Sequence, residues 1–166
     1  GATIQTDAYY VAEGLMQNAL LPISEAVAVS FLPIYITIKE KNKEDAHKFT
    51  SRTITDIFLL ALVLSGILYV VAPVLLKLML PSYTAEQVAM SVHYFRILIW
   101  GMCFYMSNQL SQSLLNAEKQ YGFSSFTAMM NNLILTGAVL IMGHRFGLSA
   151  MAMAVPFSYI AQYLFL

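Results

Sequence analysis

Two carboxylates lie inside a run of residues long and apolar enough to cross a bilayer. Residues 6–38 read TDAYYVAEGLMQNALLPISEAVAVSFLPIYITI and carry Glu13, Asn18, Pro22, Glu25 and Pro33. A charged side chain at the middle of a membrane helix costs about 2.5–3.5 kcal/mol on insertion scales. Such charges line a substrate or ion route, or neutralise one another in a structural pair. On a helix turning about 100° per residue, Asp7, Gly14, Asn18 and Glu25 fall within about 20° of one line, and Glu13 falls roughly 120° away. One face therefore carries a polar stripe, with Gly14 as a point where another backbone could approach. Residue 23 is midway between Asp7 and Lys39, which puts Glu25 near the bilayer centre. Pro22 has no amide proton for the helix ladder and predicts a kink just above Glu25.

A later apolar run repeats the theme. His93 and Arg96 are three residues apart and share a helix face; Arg96 lies about 16 Å in from Ala85 at helical rise. Asn108, Ser111, Gln112 and Asn116 form a second polar stripe, and Asn131 and Asn132 follow in the next run. Amides of this kind either join helices or line a path. The candidate substrate and ion pathway is Asp7, Asn18, Glu25, Arg96, Asn108, Gln112, Asn116 and Asn132. Glu25 and Arg96, opposite charges on two segments at similar depth, are expected to pair or to serve the transported species. A coupling cation or proton at Glu25 is the alternative to that pair. No His-Glu-x-x-His, Gly-x-Ser-x-Gly or P-loop motif occurs, so catalysis is not expected. His47, His93 and His144 are too scattered to hold a metal together, and no cofactor is expected.

The elements that position these groups follow from composition. The chain is 58% hydrophobic and 11% charged, against about 25% charged in a soluble domain. Its basic and acidic residues cancel, which argues against nucleic acid as a partner. Cys103, the only cysteine, sits in an apolar run and is expected to be a small core residue. The fold class is an all-α polytopic membrane protein with about five transmembrane helices, near 8–38, 53–80, 85–116, 122–143 and 147–166. Thr84 and Gln87 have the spacing of a capping box at the start of the third. The separator 39–52 is expected to be a solvated loop. Lys39, Lys41, Lys43, Lys48, Arg52 and Lys119 fall on one side and Lys77 and Arg145 on the other, six against two. The bias places 39–52 and 116–122 in the cytoplasm and Asp7 at the outer face. The chain opens on Gly1 and stops within an apolar run, as expected of a piece of a longer membrane protein whose remaining helices would be its partners.

The order of local patterns resembles the MurJ/MviN lipid II flippases of the MOP exporter superfamily. These patterns are Thr6-Asp7-Ala8-Tyr9-Tyr10-Val11-Ala12, Phe31-Leu-Pro33-Ile34 with Glu44-Asp45-Ala46, Ala72-Pro73 with Pro81 eight residues on, and Leu115-Asn116 with Phe123 and Asn132. The resemblance implies helices 2 to 6 of a roughly fourteen-helix bacterial protein of the cytoplasmic membrane, forming most of one lobe of a two-lobed transporter. It implies a polyprenyl-diphosphate-linked sugar moved from the inner to the outer leaflet by alternating access. Asp7 matches the family's Thr-Asp-Ala aspartate, Glu25 the acidic residue late in helix 2 and Arg96 a basic position in helix 4, where it would contact the diphosphate. Leu20-Leu21 stand where family members often have an arginine pair; Trp100, Ser124 and Ala128 stand at positions often held by proline. Rival expectations are a related polysaccharide exporter, a cation-coupled drug exporter of the same superfamily, and a non-transporting membrane scaffold.

Overall fold

In the computed structural model, the apolar runs form helices and the charged separators become helix ends that reach into water. The structure describes residues 2–19 and 21–166. Gly1 and Leu20 lie outside them, and so does the Leu20 half of the Leu20-Leu21 pair; the side chains of Ala2, Thr3, Ala19, Leu21, Met142, His144, Arg145 and Phe146 are outside as well. The helices are α1 (Ala2–Ala19), α2 (Leu21–Lys41), α3 (Lys43–Met79), α4 (Ala85–Leu98), a 3-10 turn (Ile99–Gly101), α5 (Met102–Ala117), α6 (Tyr121–Phe146) and α7 (Leu148–Phe165). They make five spans long and apolar enough to cross a membrane, with no strand among the described residues.

The first span is α1 followed by α2. The span covers Ile4–Lys41, and the kink expected at Pro22 falls beside Leu20, outside the described residues. Ala8, Tyr9, Ala12 and Met16 are buried at helical spacing, and α1 packs chiefly on α4. The Tyr9 and Tyr94 rings meet in a T-shaped pair, with centroids 5.9 Å apart. The backbone approach expected at Gly14 is absent: an added Cβ there would meet only the Asn18 side chain, at 3.9 Å.

The expected loop at 39–52 is helical apart from Asn42. The Asn42 side chain accepts from the Glu44 amide at 2.9 Å, Glu44 and Asp45 occupy the positive first turn of α3, and Lys48 pairs with Glu44 one turn on. The charges that marked a solvated loop are therefore a capped helix start. Only Ile57 to Leu76, between Asp56 and Lys77, is the apolar length of α3, about 30 Å. The charged start of α3, Lys43–Asp56, lies beyond that length.

The third span is continuous from Ala85 to Ala117 but tightens at Ile99–Gly101. Its start carries the expected capping box: Thr84 N–H donates to Gln87 Oε1 at 2.9 Å, and Gln87 N–H to Thr84 Oγ1 at 3.3 Å. At the tightened turn, buried Ser65 of α3 donates its hydroxyl to the Ile99 carbonyl at 3.1 Å. On another side Gly101 meets α7 so closely that an added Cβ would lie 3.0 Å from Pro156 Cα. This span is the centre of the bundle, and it packs on α1, α2, α3, α6 and α7.

The α5–α6 turn depends on Lys119 at φ 59°, with Gln120 N–H closing back onto the Leu115 carbonyl at 2.8 Å. Between α6 and α7 the expected turn at 143–147 contracts to Gly147, whose φ of 55° and ψ of −135° suit a residue without Cβ.

Candidate functional site

Helical phase separates the polar groups of the first span from its packed face. Asp7, Asn18 and Glu25 are all exposed, while Ala8, Ala12, Met16, Ser24 and Ala28 beside them are buried. Asn18 donates to the Gly14 carbonyl one turn back, at 2.8 Å. Asp7 and Glu25 enter no ion pair or side-chain hydrogen bond among the described residues. Glu13 is half-buried and accepts from Gln17 Nε2 at 3.3 Å. The sequence-based separation of Glu13 from the stripe thus appears as a difference in exposure.

Glu25 and Arg96 do not meet. Glu25 lies within electrostatic reach of Tyr105 of α5, whose hydroxyl hydrogen-bonds Ser24. Tyr105 is nine residues beyond Arg96 along the same span, about 14 Å by helical rise. The expectation of similar depth fails because the third span runs through both levels. Arg96 instead turns to α3. Its Nε donates to the Tyr69 carbonyl at 3.1 Å, and its guanidinium lies over the Tyr69 ring, 4.6 Å from the centroid. That carbonyl is the one whose helical donor would have been residue 73, a proline. Arg96 therefore supplies the hydrogen bond that Pro73 removes from α3.

The second polar stripe divides in the same way. Asn108 is buried, and its Nδ2 donates to the Tyr159 carbonyl at 3.0 Å and to Gln162 Oε1 at 3.3 Å. Asn131 Nδ2 reaches the same Gln162 oxygen at 2.9 Å. One amide of α7 thus ties α5 and α6 together, and Asn108 Oδ1 is left without a hydrogen-bond partner. Ser111 bonds its own helix at the Ser107 carbonyl. Gln112 is half-buried, and Asn116 and Asn132 are exposed. Of the adjacent pair, Asn131 joins the amide tie and Asn132 does not.

Three groups escaped the sequence reading. Gln162 is a lone amide in an apolar run, a signal that was there to be used. Ser65 is small and gave none. Glu118 closes the end of the bundle opposite Pro81–Thr84: it pairs with Lys39 of α2 and accepts from the Tyr35 hydroxyl at 2.5 Å. The Lys39 ammonium, helped by Tyr35, holds the Glu118 carboxyl below the ordinary glutamate range. No group of acidic, histidine or cysteine side chains suited to a metal forms among the described residues.

The family model described as the lipid II flippase MurJ matches residues 1–166. The chain belongs to the MurJ family. Comparison with curated proteins gives no match. Membership and the five spans make this a multi-pass membrane protein of a transporter family associated with peptidoglycan precursors. Within that MurJ frame, two arrangements are available for chemistry: an open acidic and amide face on α1–α2, and a cationic depression between α3 and α4.

Proposed function

We propose that this chain forms part of the route by which a polyprenyl-diphosphate-linked sugar, a lipid II-like precursor, crosses the membrane by alternating access. The exposed face of α1–α2 with Asp7, Asn18 and Glu25 would border that route. One observation carries the reading: Glu25, a carboxylate without a hydrogen bond or ion pair among the described residues, is exposed on a helix whose opposite face is packed. Against lipid such a group costs about 2.5–3.5 kcal/mol. Against a hydrated cavity it costs little and can act on what passes. Glu25 is our candidate for holding a coupling cation or proton, and Asp7 for the outer gate. Arg96, committed to Tyr69, is left out of this route.

The test is complementation of cells depleted of their lipid II flippase by the full-length protein. Glu25→Gln at normal expression should lower precursor flipping about tenfold, the effect of roughly 1.4 kcal/mol lost from the barrier balance. Undiminished flipping would remove Glu25 from the mechanism.

A further inference from the structure

The α3–α4 depression is the second polar feature of the bundle, and the proposed route does not use it. Tyr69, Pro73 and Lys77 follow one another at i, i+4 and i+8 along α3 and line it from one side. His93 and Arg96 line it from α4. The part shared by Lys77 and Arg96 has a volume of about 660 Å³ and runs up to the Pro81–Thr84 turn, at the end that charge bias puts outside. No carboxylate lines it. Neither cation has an acidic partner among the described residues.

Arg96 is held at one end only. Its Nε is used by the Tyr69 carbonyl, and the two terminal nitrogens of the guanidinium have no partner among the described residues. Beside this stripe, Val70, Val74 and Leu78 of α3 are exposed by 71%, 61% and 76%, an apolar surface suited to acyl chains. Lys77 ends the apolar length of α3, at the depth of lipid headgroups. Tyr69 lies about 12 Å deeper by helical rise, so Arg96 draws positive charge below the headgroup plane. Trp100 and Tyr69, 5.9 Å apart, form the aromatic floor.

We propose that this depression binds the phosphate of an anionic phospholipid from the leaflet at the Pro81–Thr84 end. Lys77 takes it at the rim, Arg96 takes it from below, and the acyl chains lie along Val70, Val74 and Leu78. Two unpaired cations facing one cavity beside a lipid-exposed stripe need an anion that arrives with its own apolar chains. A soluble anion meets the rim lysine but gains nothing from the stripe.

The test uses the full-length protein in detergent, with bound lipid read by native mass spectrometry. Phosphatidylglycerol is the probe and phosphatidylcholine the uncharged-headgroup control. Lys77→Gln removes an exposed side chain that makes no hydrogen bond or ion pair among the described residues, and Arg96→Gln keeps a donor for the Tyr69 carbonyl. Each should weaken phosphatidylglycerol binding about fivefold and leave phosphatidylcholine binding unchanged. Unchanged phosphatidylglycerol binding in Lys77→Gln would overturn the proposal. Displacement of the lipid by inorganic phosphate would make the site a general anion site and overturn it as well. Displacement by a polyprenyl diphosphate would assign the depression to the transport route instead.

Discussion

Arg96 serves the one carbonyl of α3 that Pro73 leaves without a donor, and this role separates it from every other charge in the membrane. A double-mutant cycle tests the link. Arg96→Leu should cost about 1–2 kcal/mol of stability, because it orphans a carbonyl within the bilayer. In a Pro73→Ala background the restored amide takes that carbonyl, and the same change should cost about 1 kcal/mol less. Equal costs in the two backgrounds, measured by thermal unfolding in detergent, would break the link. At the other end of the bundle Glu118 makes a pH-dependent contribution. Its folded carboxyl titrates lower than in the unfolded chain, so its stabilisation is complete above the ordinary glutamate range and is lost as pH falls through and below that range. The pair is at the solvent edge, so its worth is at most about 1 kcal/mol. Glu118→Gln should therefore melt lower than the parent at neutral pH, with the gap closing on acidification. A gap that stays constant down to strong acid would mean the Lys39 pairing adds nothing.

The third span shows how an element reaches its partners by departing from regularity. The 3-10 turn at Ile99–Gly101 brings a glycine against Pro156 and presents the Ile99 carbonyl to Ser65. Both contacts are backbone-limited, so little can give. Gly101→Ala should destabilise by about 1–3 kcal/mol through overpacking against α7. A neutral effect on thermal unfolding would show that α7 can shift away. Trp100, where the resemblance led to an expectation of proline, lies within this turn and supplies ring surface beside Tyr69 rather than a kink. The charged 39–52 segment teaches the converse. Its residues are those of a solvated loop, but Asn42, Glu44 and Asp45 in that order are also a helix start, and a helix is what forms.

Across the whole molecule, Gln162 joins α5 and α6 to α7 through one side-chain oxygen. Gln162→Leu should cost about 1–2 kcal/mol by removing the acceptor that half-buried Asn131 and buried Asn108 share, Asn108 keeping its bond to the Tyr159 carbonyl. Flipping per folded molecule should persist, since this knot is structural in our reading; its loss alongside normal folding would return Asn108 to the transport route. The family, the five spans and the capping box at Thr84 were legible from local sequence, because hydropathy, capping and turn residues act over a few neighbours. The polar stripe of the first span was legible too, because helical phase holds over one helix. The side chains that face each other across helices were not. Arg96 against Tyr69, Asn108 against Gln162 and Lys39 against Glu118 join residues 27, 54 and 79 positions apart. Glu25 and Arg96 looked like a pair because each was measured only along its own helix. Helix order and rotation decide which polar faces meet, and these arise from the packing of the entire bundle.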